Sequence, residues 1–244
     1  MKKSLFLAAA LVSTAWSIAG AQIISPLTAL VGLPNGVTFG GTNIPGPAAK
    51  VNFGRESVLV LGASQRGDNA ALTNNGVGGR YFAVAGNDIS TAAVAGYARW
   101  NFNFYVGGTN ATSYDYRLYY DFDAGPDVAA ITHGYLNIFG CPSDASCTAF
   151  PIQNSFNLGM PFLALGGLGA APTPAIFNPN AVGEYTFSLV AYYRVDVTAF
   201  TSEATRVSIA VNTSAVPEPS TYALMAAGLA GLGLVARRRR RSIA

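Results

Sequence analysis

The chain has 244 residues, with 15 Lys and Arg against 12 Asp and Glu and a formal net charge of +3. Seven of the bases, Lys2, Lys3 and Arg237 to Arg241, lie at the two ends with a single acid, Glu218, so the stretch between them is mildly acidic. That balance excludes a nucleic-acid partner gripped through a basic surface, and the length of the middle suits one domain with a core of its own.

The start reads as a targeting segment. Met1-Lys2-Lys3 is basic, Leu5 to Val12 (LFLAAALV) is apolar, and Ala19-Gly20-Ala21 is a small-x-small pattern. Together they make residues 1–21 a secretory signal helix cut after Ala21, with signal peptidase as the first partner. A buried helix or an uncleaved anchor is the alternative, and the apolar run is short for either span or core.

Residues 22–212 form the body, and its periodicity is that of strands. In the run from Arg99 to Val106, Trp100, Phe102, Phe104 and Val106 alternate with Asn101, Asn103 and Tyr105. Tyr114, Tyr116, Leu118, Tyr120 and Phe122 alternate with Asp115, Arg117, Tyr119 and Asp121. Further on, Tyr185, Phe187, Leu189 and Ala191 share one face, as do Val207, Ile209 and Val211. Such alternation predicts one face in a core and one in water. Shorter strands are expected at 57–62, 80–86 and 134–140. Turn chemistry separates them at 73–79, 107–110, 123–127 and 177–183, and 159–180 is a Pro/Gly/Ala-rich crossing. The fold class expected is all-β, an antiparallel β-sandwich of jelly-roll-like or Ig-like type.

Candidate chemistry in the body is sparse. Asp121, Asp123 and Asp127 in DFDAGPD offer hard oxygen ligands, and Ca²⁺ is the one cofactor they suggest. Gly125 and Pro126 break the EF-hand pattern, and the other reading is a solvated acidic turn. Cys141 and Cys147 predict a disulfide in an exported chain; a zinc site would need more N and S ligands than two Cys and the single His133 supply. Ser64 in GASQRG is not a nucleophile elbow, no opposed carboxylate pair stands out for glycoside hydrolysis, and the body is read as no enzyme, with a secreted hydrolase as the remote alternative. Arg66-Gly67-Asp68 is given no weight. Tyr105, Tyr119, Tyr192 and Trp100 could stack on sugar rings, or could simply pair across strands.

The end is the most specific segment. Residues 213–221 form a linker carrying Val216, Pro217, Glu218, Pro219 and Ser220; residues 222–236 are apolar or glycine; residues 237–244 open with Arg237, Arg238, Arg239, Arg240 and Arg241. Fifteen helical residues reach roughly 22 Å, short of a bilayer core of roughly 30 Å, and snorkelling arginine stems extend them. The arginines act as a stop-transfer block held on the cytoplasmic side, so 222–236 is expected to be a single transmembrane helix that tethers the body to the membrane.

From Val216 to Ser242 the chain resembles a PEP-CTERM sorting signal, a tail also carried by some bacterial ice-binding proteins, although the body shows no Thr-x-Thr ladder suited to ice. The resemblance implies a Gram-negative bacterium and an exosortase, a membrane protease that removes the tail. It implies an inner-membrane-tethered intermediate and then a place at the cell surface or in the extracellular matrix, in a setting of exopolysaccharide and biofilm. The expected function is a structural or adhesive matrix protein; the alternative is a carbohydrate-binding module, calcium-assisted or not, with extracellular polysaccharide as partner.

Overall fold

The structure is a computed structural model that describes residues 27–41, 46–125, 133–138, 150–165, 170–171, 176–194, 202–215, 224–230 and 232. Ala19, Ala21, Asp127, Cys141, Cys147, Val216 to Ser220 and Arg237 to Arg241 lie outside the described residues. The signal helix, the disulfide, the third aspartate and the sorting motif itself are among the expectations that fall there.

Among the described residues the body forms two sheets. The first has five strands in the order β1 (Leu30–Val31), β2 (Ala48–Phe53), β3 (Ser57–Gln65), β6 (Trp100–Gly108) and β9 (Ile152–Phe156), all antiparallel. The second has seven, in the order β10 (Ala170–Ala171), β8 (His133–Ile138), β7 (Tyr114–Asp121), β11 (Gly183–Tyr193), β12 (Glu203–Ser214), β5 (Arg80–Val84) and β4 (Thr73–Asn74). One short helix, α1 (Pro161–Leu165), lies in the crossing read as irregular. The strands read from alternation are all present. β2 and β9 are additions: in β2 Ala49, Val51 and Phe53 alternate with Lys50 and Asn52 and face the core, a short period that went unread, whereas in β9 Asn154 interrupts the period between Ile152 and Phe156.

The inner faces meet in one core. Leu59, Leu61, Phe102, Phe104 and Val106 of the first sheet pack against Tyr116, Leu118, Tyr120, Tyr185, Phe187, Leu189, Val207 and Ile209 of the second. Phe102 stacks on Phe187 with centroids 4.7 Å apart, and Trp100 meets Tyr185 at 5.5 Å. The alternation in β6, β7, β11 and β12 places these rings on facing surfaces, and burial of each large apolar side chain contributes roughly 1.5–3 kcal/mol before entropy is subtracted. Tyr81, Tyr116 and Tyr120 keep their hydroxyls satisfied by the carbonyls of Pro47, Ala111 and Leu163, which is what permits a phenol in a core.

Two expectations are corrected. The second sheet is mixed, because β5 runs parallel to β12, from Ala210 opposite Arg80 to Ser214 opposite Val84. Along β6 the outer face of the first sheet is not wet: Asn101 is 7% exposed and Asn103 fully buried. Part of that face is covered by residues 33–41, where Phe39 packs with Val37, Ala48 and Val60. Gln153 Oε1 pins the segment by accepting the N–H groups of Thr38 and Phe39 (3.0 and 2.8 Å). No helix among the described residues is long and apolar enough to cross a membrane; of the expected helix over 222–236 the described residues are 224–230 and 232, and they are helical.

Tight turns set the register at one end. Phe53 pairs with Ser57 across Gly54, whose φ is +53. Gly108, with φ +109, closes the β3–β6 pair against the carbonyl of Glu56, where a Cβ has no room. Both positions need glycine, since an L side chain is strained there.

Candidate functional site

The junction between body and tail follows from the place of β12. It lies between β11 and β5 within the seven-stranded sheet. Its last residues are held on both sides: Thr213 Oγ1 donates to Ala181 O at 3.0 Å and accepts from Gly183 N at 3.1 Å, and Ala85 N donates to Ser214 O at 2.8 Å. Thr213 and Ser214, read as linker, therefore belong to the sheet. From Ala215 to Leu224, the first described helical tail residue, the chain can span about 30 Å at most, at about 3.3–3.6 Å per residue. Leu224, Met225, Leu229 and Leu232 are all exposed, an apolar surface that water does not favour.

The outer face of the second sheet carries the aromatics that alternation put there. In register, Tyr135, Tyr119, Ser188 and Ser208 form one row across β8, β7, β11 and β12, and Asn137, Arg117, Val190 and Arg206 form the next. The Tyr119 and Tyr192 hydroxyls are 2.8 Å apart. Arg117 donates through Nε to Asn137 Oδ1 at 2.9 Å and lies over the Tyr135 ring at 4.0 Å. Arg206 is paired with Glu203, whose hydrogen bond raises the guanidinium pKa against the opposing effect of burial. Tyr119 stays half-buried, but Tyr192 is only 3% exposed and Trp100 is in the core. Of the proposed sugar-stacking rings, those two present no open face.

The acidic stretch is turned inward on its own backbone. Asp121 Oδ1 accepts Asp123 N–H at 2.8 Å and Asp123 Oδ1 accepts Gly125 N–H at 3.0 Å, two successive Asx turns. Among the described residues no group of three metal-ligating side chains assembles. His133 pairs in register with Asp121. Ser64 is fully buried and accepts from Asn103 Nδ2 at 3.2 Å, so it is not placed as a nucleophile. Several carboxylates are held by arginines: Asp88 by Arg66, Glu184 by Arg80, Asp115 by Arg194 and Glu203 by Arg206.

One feature went unread in the sequence. A cleft of about 300 Å³ opens beside the β4–β5 edge, lined by Gln65, Arg66, Thr73, Phe82, Asp88 and Arg99, among others. A shallower concavity of about 360 Å³ adjoins it across Ile89 and Arg99 and reaches Ala215, where the tail leaves. Arg66 and Arg99 are brought together because Arg66 N donates to Arg99 O at 2.8 Å. Burial pushes the Asp88 carboxyl up, but hydrogen bonds from Arg66 and from the Ser90 and Val94 N–H groups outweigh it and hold the group well below the usual carboxylate range. The signal was present in the Arg-Gly-Asp turn and in Arg99 before Trp100, but nothing local joins them.

Residues 215–241 match the model of the PEP-CTERM protein-sorting motif. No curated protein and no solved structure matches the chain. The tail is thus an exosortase-type sorting signal, and the chain is exported and sorted at the membrane.

Proposed function

We propose that the two-sheet body is a non-enzymatic structural or adhesive constituent of the extracellular polymer of a Gram-negative bacterium. A helix over 222–236, stopped by Arg237 to Arg241, holds it at the inner membrane until exosortase cuts at the Pro-Glu-Pro motif. The observation that carries this reading is the junction: β12 is locked through Ser214, and the matched motif opens at 215. What the motif delivers is a folded sandwich with almost no spacer. The processed protein is expected in the polymer fraction, with its C-terminus at or beyond Ala215, because a cut inside β12 would first have to unzip it from two neighbours. Mass spectrometry of the polymer-associated protein checks both points. A terminus upstream of Ser214, or a processed body found only as free soluble protein, contradicts the reading.

A second reading, a carbohydrate-binding module, is favoured by the half-buried Tyr119 beside Arg117 and Tyr135. Base–aromatic and sugar–aromatic stacking alike use the flat face of a ring, and aromatic contacts contribute about 0.5–1.5 kcal/mol beyond burial. On this reading Tyr119→Ala weakens binding to the host polysaccharide by about three- to tenfold. Titration with calcium and then with a chelator tests the calcium-assisted form, and unchanged affinity in Tyr119→Ala removes the face from consideration.

A further inference from the structure

The cleft beside the β4–β5 edge brings Arg66 and Arg99 together with a single carboxylate, Asp88. Asp88 is its one buried carboxylate, 1% exposed at the side chain, and its oxygens are committed. Oδ1 accepts from Ser90 N at 2.9 Å, and Oδ2 accepts from Arg66 Nε at 2.5 Å and Val94 N at 3.1 Å. Arg99 makes no ion pair among the described residues; its Nε donates to Asn87 O at 3.2 Å. In both arginines the recorded bond goes through Nε, which leaves the Nη nitrogens as donors. A guanidinium presents these in a planar fork that matches a carboxylate.

The two forks are also fixed in place. Arg66 lies over the Tyr97 ring at 4.7 Å. Arg99 rests on Gly86, where a Cβ would come within 2.9 Å of its Nε. The loop after β5 is tied to the start of β6 by Asp88 N donating to Tyr97 O at 2.7 Å. Prepaid ordering of this kind lowers the cost of binding.

The rest of the lining selects the class of anion. Phe82 is 42% exposed and Val84 is exposed beside it, an apolar wall for the CH face of a ring. Gln65 and Thr73 offer donors and acceptors for hydroxyls. About 300 Å³ is at the small end of the usual range for ligand sites and suits one sugar ring. Two cations facing one saturated carboxylate make the cleft locally positive in a body that is otherwise mildly acidic.

We propose that this cleft binds a uronate unit of an acidic polysaccharide, its carboxylate held by Arg99 and Arg66 and its ring set against Phe82. The proposal rests on the carbohydrate reading above only for its class of ligand; it names that class as acidic and places the contact at this cleft, apart from the Tyr119 face. The test uses the full chain in detergent, titrated with oligogalacturonate, oligomannuronate and hyaluronan fragments, with the methyl esters of the same oligomers and a neutral glucan as comparison. At least one oligouronate is expected to saturate, its methyl ester to bind at least about tenfold more weakly, and Arg99→Gln and Phe82→Ala each to lose about tenfold, the weight of one charge-assisted or stacking contact. Phe82 is exposed, so its variant keeps the fold if Arg99→Gln does not. Equal affinity for acid and ester, or oligouronate binding unchanged in both variants, overturns the cleft assignment while leaving a carbohydrate-binding body. Binding to none of the oligomers overturns it as well, and absence of binding to the neutral glucan and the host polymer too would remove the carbohydrate reading. Arg99-dependent binding to vesicles of phosphatidylglycerol, with no oligouronate binding, overturns the proposal in favour of a lipid-facing surface beside the tail.

Discussion

Glu218→Ala is expected to slow removal of the tail strongly, with the precursor accumulating in the membrane fraction. Proline fixes φ and lacks a backbone donor and disfavours the helical region in the residue before it, so the sequence Val216-Pro217-Glu218-Pro219 predicts an extended segment. An extended segment can enter a protease groove without being unfolded first, and within 216–221 Glu218 is the only charge. A charge-assisted hydrogen bond contributes about 1.5–3 kcal/mol, so its loss should slow cleavage by about 10- to 100-fold. Glu218→Asp keeps the charge but shortens the reach, and should fall between. An immunoblot of precursor and processed body against time reads the effect. Normal processing of the alanine variant would show that recognition rests on the prolines or on the helix beyond.

The close junction makes a second outcome informative. If an inserted flexible spacer after Ala215 speeds cleavage of both native and Glu218→Ala chains equally, access to the motif is limited by the nearby body. If it rescues neither, recognition at Glu218 is the limiting step.

Asn157→Ala is expected to be the most damaging single change to the body among those that remove no apolar ring. Asn157 is fully buried just after β9. Its Nδ2 is shared among Ala98 O, Trp100 O and Asn101 Oδ1 at 3.0, 2.8 and 2.9 Å. Its Oδ1 accepts from the N–H groups of Ala98 and Gly159 at 2.9 and 3.1 Å. The amide thus stands in for strand pairing where β6 begins. Each buried group left without a partner costs about 1–3 kcal/mol, and with partial relaxation the total should be about 3–5 kcal/mol, against a whole-domain stability of about 5–15 kcal/mol. Asn157→Asp keeps the shape and the acceptor but sets a carboxylate against three oxygens, the Ala98 and Trp100 carbonyls and Asn101 Oδ1. Its pKa must rise, so that variant is least destabilised at acid pH and loses stability as pH climbs through the raised value. Urea midpoints across pH check the sign. A flat profile with less than about 1 kcal/mol lost would show that water replaces the amide at low cost.

The strands were legible because side-chain alternation is local. Trp100, Phe102, Phe104 and Val106 point one way whatever lies above them, and the same holds for Tyr116, Leu118 and Tyr120. Tyr119 was correctly assigned to the face opposite the core for that reason. β2 carried the same signal over a shorter stretch, Ala49, Val51 and Phe53 against Lys50 and Asn52; β9 was less legible, since Asn154 interrupts its apolar period and, among the described residues, it pairs with β6 at the margin of its sheet.

The sequence alone determined the sorting tail, the all-β class and which residues share a strand face, because a terminal motif and a two-residue period need no distant partner. Only the tertiary structure decided which faces meet water, that β5 joins β12 in parallel, and that Arg66 and Arg99 share one cleft. Asn101 and Asn103 alternate as wet-face residues, yet they are buried, and Asn101 is held by Asn157 and Ser155 from far along the chain. Arg66 and Arg99 are 33 positions apart and become neighbours through one backbone hydrogen bond between the ends of adjacent strands. Burial and clustering are properties of what packs against a residue, and a chain read locally carries the residue without its neighbour.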